Sequence, residues 1–402
     1  MGQSSKVLPD SPEEVRRPKA SLTKQDERLV NRFDPSARRE LRRLIRTSPR
    51  FAELAEVFPG AAYALAIRQA DPTSRRQAAR LVRDGAKLKT VAEALGLPLW
   101  LRRLPPSAFR GPIEPLPNGE AFSRRVATRL PAERMDAAFW LSTIAFASKA
   151  CNEDFALWIA EQSICPDEAR PDRLFAVLAA YAWFSGATFT PAHNLIVVPW
   201  RPEIAFDTAL CAAKSWLNRL RLVMQLEPGT IADTWLRPGE IMGFTFTPLV
   251  DQVEILEEAQ AMQNCADQYA DRLAREKCRL FSIRRAGSRV ATLEIGPHPR
   301  ETGVLAITQL KARHNMPASI EVWQAAHAWL ASQAGLKRLP PMVPPERPLN
   351  ARVWDELIAP YRRDKHGAPW LPIIPTHVAF SRLDSDMTDL ARRAGVTSWL
   401  FT

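Results

Sequence analysis

A cysteine, three amide side chains and a histidine occur in the second half of the chain in an order that could build a small polar site. Asn264 and Cys265 are adjacent, Gln309 ends an apolar run, and His314 and Asn315 follow it. Thiol catalysis needs a base that generates the thiolate and amide groups that hold the developing charge. These residue types predict a Cys–His site with Asn or Gln as orienter or oxyanion donor.

A packing interpretation of the same residues stays open. Cys265 can act as a small buried hydrophobe, Asn264 can cap or bend its helix, and Asn315 can cap the next helix. A thiol in the middle of a helix also lacks the positive helix N-terminus that lowers a cysteine's pKa, unless the helix breaks near Gln263. The sequence alone therefore leaves both a catalytic and a structural role for the thiol.

The elements around these residues form a compact α+β module over residues 240–335. An apolar stripe at helical spacing predicts one continuous helix from Ile255 to Leu273, with Cys265 at the flank of the stripe. A strand is expected over 241–246, before that helix. After it, a three-stranded antiparallel meander is expected, flanked by a final helix that begins near Pro317. The three strands of the meander are predicted at 280–284, 290–295 and 304–310.

Gln309 is the polar residue that fits plain packing least well. Strict alternation along its strand places it on the same face as Leu305 and Ile307. A buried amide needs hydrogen-bond partners. We therefore expect other polar groups to meet Gln309 at the end of the sheet.

The ordered motifs of this module resemble the PcfJ-like domain family. The matching residues are Glu258-Ala259, Met262-x-Asn264-Cys265-x-x-x-Tyr269, Phe281-Ser282-Ile283-Arg284, Val290 to Ile295, and Gln309-Leu310-Lys311 with Asn315. Two positions depart from the family pattern: Ala266 stands in place of a valine, and Ala312 in place of a glycine, which questions the turn before Asn315. The family is encoded on conjugative plasmids, integrative elements and phages. The resemblance implies a genetic context rather than an activity.

The candidate site combines the residues characteristic of that family with the neighbouring histidine. They are Asn264, Cys265, Tyr269, Arg284, Gln309, His314 and Asn315. The five cysteines of the chain form no CxxC pair, and the six histidines do not cluster at metal-ligand spacing. We expect no metal, no disulfide framework and no cofactor.

The basic charge of the chain is concentrated in its N-terminal third. The whole chain carries a formal charge of +11, and residues 1–130 have an excess of positive charge that accounts for all of it. A helix-turn-helix-like segment lies there, with a turn at Asp84-Gly85 and a helix end at Gly96. Such a segment favours contact with an anionic polymer, although the same residues would also suit a solvated surface over a helical hairpin. The candidate nucleic-acid contacts are Arg75, Arg76, Arg80, Arg83, Lys87, Lys89, Arg102 and Arg103.

The chain as a whole is predicted to be an α+β protein with a mainly helical N-terminal region. The expected segments are a disordered arm at 1–22, a basic helical region at 23–112, an apolar helical region at 120–238, the module at 240–335, and a Pro-rich connector and tail at 336–402. A short buried strand is expected at 194–198 within the apolar region, and an amphipathic helix around Val353, Leu357 and Tyr361 within the tail. No membrane span or signal peptide is expected, so the predicted location is the cytoplasm. Expected partners are nucleic acid or a conjugation or phage protein complex. An enzyme and a helical scaffold are the alternatives.

Overall fold

The computed structural model describes residues 22–131, 137–165, 170–227, 229–337 and 347–396. The chain forms two compact units, of which the first ends at Leu141 and the second begins at Ser142. The division falls inside the segment 120–238 that was expected to be one helical region. The predicted disordered arm, apart from its last residue, and the Pro-rich run 339–345 lie outside the described residues.

The first unit is built from short helices whose starts are fixed by capping side chains. Thr23 forms a capping box with Asp26, and Asp34 and Asp71 each cap a helix that has proline at its first position. Short 3₁₀ helices at Leu99–Arg103 and Pro106–Ala108 follow the sixth α-helix. The α-helices are α1 Lys24–Val30, α2 Pro35–Thr47, α3 Arg50–Val57, α4 Pro59–Ala66, α5 Pro72–Asp84, α6 Leu88–Leu95 and α7 Glu120–Val126.

The predicted helix-turn-helix-like segment is confirmed as a pair of helices. Gly85 ends α5 at φ 74° and Gly96 ends α6 at φ 65°, a left-handed conformation that glycine adopts without a steric cost. One side of each helix is apolar and buried, so the basic residues of the segment occupy the other side. The buried residues are Ala78 and Val82 on α5 and Val91 and Ala92 on α6.

Further helices precede the sheet. The longest described one carries Ala213, Trp216 and Leu220 on its buried face, and the Trp216 indole donates to the Ala192 carbonyl at 2.9 Å. The strand predicted at 194–198 is wrong. A 3₁₀ turn stands at His193–Leu195. The helices are α8 Ala137–Ala150, α9 Glu153–Ala160, α10 Pro171–Leu174, α11 Ala176–Gly186 and α12 Phe206–Gln225.

The physical reason for the missing strand is local. The Tyr181 hydroxyl donates to the carbonyl of Val198, so a side chain satisfies a backbone group that a sheet ladder would otherwise pair. Val197 and Val198 are themselves exposed rather than buried. Proline residues at 191 and 199 bound the segment, and proline removes a ladder donor.

A five-stranded antiparallel sheet follows, with its strands in sequence order. The α+β class is therefore confirmed, and the predicted number of three strands is wrong. The strand expected at 241–246 is a hairpin, because Met242 and Gly243 take φ values of 53° and 74° and turn the chain so that Ile241 pairs with Phe244. The strands are β1 Gly239–Ile241, β2 Phe244–Pro248, β3 Arg279–Arg285, β4 Ser288–Pro297 and β5 Leu305–Lys311.

One face of the sheet is apolar and packs against α15 (Ile320–Ala331). The Trp329 ring of α15 stacks on Phe246 at 4.7 Å between centroids and meets Phe281 edge-on. Offset and edge-to-face ring pairs of this kind add to the free energy gained from burial alone. The opposite face carries polar side chains and lies under the helical segments that precede β3. Its buried polar residues are Ser282, Thr292 and Glu294.

The helix predicted from Ile255 to Leu273 is broken. α13 (Gln252–Met262) ends at Gln263, which takes φ 48° and ψ 49°; a 3₁₀ turn at Ala266–Gln268 and α14 (Ala270–Ala274) follow. The side-chain oxygen of Asn264 accepts a hydrogen bond from the backbone N–H of Ala266 at 3.1 Å. Such a local bond competes with the helical pattern and favours a turn.

The C-terminal region belongs to the second unit and contains two helices, α16 (Ala351–Asp364) and α17 (His377–Arg393). The amphipathic helix predicted around Leu357 and Tyr361 is confirmed, and the Tyr361 hydroxyl donates to the Ala150 carbonyl at 2.8 Å. The second helix was not predicted. Among the described residues, no helix is both long and apolar enough to cross a membrane.

Candidate functional site

A small open pocket lies between the α13–α14 turn and the polar face of the sheet. We call it the polar pocket. Its empty space, together with the solvent at its mouth, is about 260 Å³. Five of the seven candidate residues line it, and Arg284 and His314 do not. The lining residues are Asn264, Cys265, Ala266, Tyr269, Leu280, Thr292, Glu294, Gln309, Lys311 and Asn315.

A relay of hydrogen bonds ties the turn to the sheet on one side of the pocket. The Asn264 amide donates to the Thr292 hydroxyl at 2.8 Å, and that hydroxyl donates to Glu258 at 2.7 Å. The other carboxylate oxygen of Glu258 accepts from Arg289 at 3.0 Å. Glu258 is fully buried, and a buried carboxylate is tolerated only where it is paired and hydrogen-bonded. Both requirements are met here.

A second network occupies the other side of the pocket. The Tyr269 hydroxyl lies 2.9 Å from a carboxylate oxygen of Glu294 and 2.7 Å from the side-chain oxygen of Gln309. Arg272 pairs with both oxygens of Glu294, one of them at 3.1 Å. Burial is the main cause that raises the pKa of Tyr269, followed by the Glu294 charge. The phenol therefore stays protonated and acts as a donor.

A β-bulge brings Gln309 to this side of the sheet. The register runs from Glu294 opposite Gln309 to Ile295 opposite Ile307, so the bulge at Thr308 interrupts the alternation. Ile307 packs with the apolar core on the α15 face, whereas Gln309 contacts Tyr269 on the polar face. The expectation that Gln309 shares a face with Leu305 and Ile307 is wrong. The expectation that its amide meets polar partners is confirmed.

Cys265 lies just after the helix break and lines the pocket. Its sulfur is 3.6 Å from the side-chain oxygen of Asn315. Burial raises the pKa of the thiol above its usual value; the charges of Asp267 and Glu294 act in the same direction, and that of Lys311 opposes them. The 3₁₀ turn that follows has three residues, too few to supply a substantial helix dipole. The site as built holds the thiol in its neutral form.

His314 and Arg284 lie outside the pocket. His314 is exposed in a turn with φ 59° and ψ 30°, and its ring forms no hydrogen bond or ion pair with another described residue. The Arg284 guanidinium donates to the Ser282 hydroxyl at 3.3 Å. The expected pairing of the Cys265 thiol with an imidazole base is therefore not part of the pocket's geometry.

The turn before Asn315 is built without glycine. Ala312, which stands where the resemblance leads one to expect glycine, has φ −79° and ψ −174°, an extended conformation open to any residue. The left-handed positions are instead His314 and Asn315, at φ 59° and 56°. Asparagine enters this region more readily than most residues. The departure from the family pattern at Ala312 therefore leaves Asn315 at the pocket.

Five residues of the two networks were not among the sequence candidates. They are Glu258, Arg272, Arg289, Thr292 and Glu294. The sequence does indicate a role for Glu258. It lies three residues after Ile255, beside the apolar stripe of its helix, where a buried charge is costly without a partner. Thr292 and Glu294 alternate with apolar residues in a strand, a pattern that also suits a solvent-facing row. Their burial depends on the segment that covers them.

The basic residues of the first unit are displayed mostly at its surface. Arg75 is half-buried, and the other seven candidate contacts are exposed. Arg80 forms a helical ion pair with Asp84 at 3.6 Å, and Arg103 donates to the Ala127 carbonyl at 3.2 Å. An exposed ion pair of this kind contributes little to stability, and a hydrogen bond to a carbonyl leaves the charge of Arg103 unneutralised, so both side chains remain available to other anions. We call the α5–α6 side that carries these residues, with Arg102 and Arg103, the basic face.

No protein-family model, curated protein or solved structure matches this chain. In the described part of the chain, no group of three or more His, Cys, Asp or Glu residues is arranged to hold a metal ion.

Proposed function

We propose that this protein is a nucleic-acid-binding accessory factor of a mobile genetic element, with a PcfJ-like α+β module in its second unit. The observation that carries the proposal is the basic face. Residues 72–105 contain eight Lys or Arg and two acidic residues. Seven of the eight basic side chains are exposed.

The physical argument is electrostatic. Each lysine or arginine that neutralises a phosphate releases condensed counterions, which provides most of the free energy of nonspecific binding to nucleic acid. The apolar sides of α5 and α6 are buried in the first unit. The basic side chains of α5 and α6 are therefore fixed on folded helices rather than on a flexible tail. They can contact phosphates with little further loss of backbone conformational entropy.

The polar pocket supports a structural role for the family's characteristic residues. Asn264, Tyr269 and Gln309 are each engaged by neighbours of the same two networks. Buried polar networks with every member satisfied rigidify a fold. We propose that they hold the α13–α14 turn on the sheet and so shape the module for a protein partner of the transfer complex.

Binding of short labelled DNA and RNA strands to the full-length protein tests the nucleic-acid proposal. A fluorescence anisotropy titration at low salt should give saturable binding. The variant with Arg76, Arg80, Arg83 and Lys87 all changed to Gln should bind at least roughly tenfold more weakly, because it removes four phosphate contacts.

The matched control changes four exposed basic residues of the second unit to Gln. They are Arg237, Arg300, Arg363 and Arg382. The control has the same change in net charge and should bind within about twofold of the unmodified protein. Absence of binding to any strand, or equal losses in both variants, would contradict the proposal.

Thiol chemistry at Cys265 is a second candidate function, favoured by the position of its sulfur in an open pocket with Asn315 and Tyr269. The raised pKa of the thiol and the position of His314 outside the pocket weigh against it. A maleimide-labelling profile against pH decides the matter. Labelling of Cys265 that is already maximal near neutral pH would support a reactive thiol, and labelling that rises only at alkaline pH would reject it.

A further inference from the structure

A second cationic feature of the first unit is a pocket at the junction of α1 and α2. It is open to solvent, and its empty space, together with the solvent at its mouth, is about 550 Å³. Three of its lining residues are arginines, and one, Asp34, is acidic. We call it the arginine pocket. It is lined by Arg32, Phe33, Asp34, Pro35, Arg38, Ser107, Phe109 and Arg110.

The three arginines form no ion pairs with described carboxylates of the protein. Within the described residues, no carboxylate lies within ion-pair distance of Arg32, Arg38 or Arg110. Arg38 donates from Nε to the Phe33 carbonyl at 2.8 Å, which fixes its stem and leaves the two terminal nitrogens free to face a ligand. Arg32 and Arg110 are exposed. A planar guanidinium suits the oxygens of a phosphate.

Asp34 is occupied by its role as the cap of α2. It accepts from the backbone N–H of Ser36 at 3.0 Å and from the Ser36 hydroxyl at 2.6 Å. These bonds, with smaller contributions from Arg110 and Arg38, lower the pKa of the carboxyl. The pocket therefore presents three positive charges and one negative charge.

The charge balance and the shape indicate which anion fits. A phosphate monoester carries between −1.5 and −2 charges at neutral pH, roughly equal to the excess of two positive charges, whereas a diester within a strand carries one. A phosphate that enters the pocket must also lie at the end of the molecule that carries it, rather than within a strand. The buried rings of Phe33 and Phe109 form part of the wall, and apolar walls strengthen charge interactions.

A neighbouring pocket links this site to the basic face. It shares Arg32 with the arginine pocket, and Arg102 and Arg103 also line it. Those two arginines lie in the 3₁₀ helix that follows α6. Arg102 and Arg103 of the basic face therefore lie around the same pocket as Arg32, which also lines the arginine pocket.

We propose that the arginine pocket binds the terminal phosphate monoester of a nucleic-acid strand whose body lies on the basic face. This inference rests on the proposed nucleic-acid binding and adds recognition of the strand end. The three arginines would contact the phosphate oxygens, and the Ser107 hydroxyl is a further available donor.

The test compares one internally labelled strand with a 5′-phosphate, a 3′-phosphate or hydroxyl groups at both ends. The full-length protein should bind one phosphorylated form at least roughly tenfold more tightly than the hydroxyl form, because charge-assisted bonds to a dianion replace solvent contacts. The variant Arg32→Gln/Arg110→Gln should lose this preference and still bind the hydroxyl strand. The control Arg28→Gln/Arg39→Gln, exposed residues of the same unit outside the pocket, should keep it.

The outcomes separate the two proposals. Absence of binding to any strand would overturn the proposed function together with the inference. Binding that ignores the end group, or a preference that survives Arg32→Gln/Arg110→Gln, would overturn only the end recognition. A mononucleotide that abolishes the preference when present at the same concentration as the strand would assign the pocket to a small phosphorylated molecule and overturn the assignment to a strand end. Thermal melting of both variants shows whether they are folded.

Discussion

The hydroxyl of Tyr269 lies 2.7 Å from the side-chain oxygen of Gln309, across the polar face of the sheet. The same hydroxyl lies 2.9 Å from Glu294, and its single proton can serve only one of the two oxygens. Turning the Gln309 amide by half a turn lets its Nε2 donate to the phenol while the phenol donates to Glu294. In this arrangement each group has a partner, and the segment before β3 is joined to both β4 and β5.

Tyr269→Phe tests this junction. The change removes the hydroxyl and leaves the Gln309 amide and one side of the buried Glu294 carboxylate short of a partner. We expect the free energy of unfolding to fall by about 1–3 kcal/mol. Urea denaturation followed by circular dichroism measures the change. An unchanged denaturation midpoint would show that the network contributes nothing to stability.

Thr292→Val tests the relay from Asn264 to Glu258. Valine keeps the shape of threonine, so the effect reports the hydroxyl alone. We expect a loss of about 1–3 kcal/mol, because both Asn264 and Glu258 lose a buried partner. Thr245→Val is the matched control on the same sheet, at an exposed position of β2, and should stay within about 0.5 kcal/mol of the unmodified protein. Equal losses of stability from the two substitutions would show that the hydrogen bonds of Thr292 do not contribute to the free energy of unfolding.

Gln263→Gly tests the break between α13 and the following turn. Gln263 has the left-handed conformation that glycine adopts without strain, so the substitution should stabilise the protein by about 0.5–1 kcal/mol. The same change at Gln260, an exposed position inside α13, should destabilise it by about 0.5–1 kcal/mol. Thermal or urea unfolding of the two variants measures the change in the free energy of unfolding for each. Destabilisation by both would mean that the helix continues through Gln263.

The pKa of Cys265 gives a prediction about pH. Because burial raises the pKa of this thiol, its alkylation rate should rise with pH to a midpoint above that of the unfolded chain. The folded state also keeps the thiol proton to higher pH than the unfolded state does. The free energy of unfolding should therefore fall as the pH rises above the thiol pKa of the unfolded chain.

Peptide mapping by mass spectrometry separates Cys265 from the exposed Cys165, and Cys265→Ser removes the signal. A midpoint below that of the unfolded chain would contradict the structural role of this residue.

Much of the fold follows from local sequence signals. Gly85 and Gly96 mark the ends of α5 and α6, and the apolar stripe of 255–273 identifies residues that are buried. Two features depend on backbone geometry that the pattern does not encode. The break at Gln263 replaces one helix by two without changing which side is apolar, and the Met242-Gly243 turn converts one expected strand into a hairpin.

The candidate site shows the same division. Asn264, Cys265, Tyr269, Gln309 and Asn315 converge on one pocket. Strand alternation alone misplaced Gln309, because a single bulged residue reverses every side chain beyond it. His314 stands beside Asn315 in sequence but is exposed outside the pocket, since adjacent residues in a tight turn point in different directions. The position of His314 next to Asn315 in the sequence therefore did not predict whether its ring reaches Cys265.

The most direct test of the central claim is the salt dependence of nucleic-acid binding. For the unmodified protein, the logarithm of the binding constant should fall linearly with the logarithm of salt concentration, with a slope of roughly −0.7 to −0.9 for each phosphate that the protein neutralises. Changing Arg76, Arg80, Arg83 and Lys87 to Gln should make the slope less negative by roughly 0.7 to 0.9 for each phosphate that is no longer neutralised. A slope near zero, or the same slope in both proteins, would show that the basic face does not bind nucleic acid.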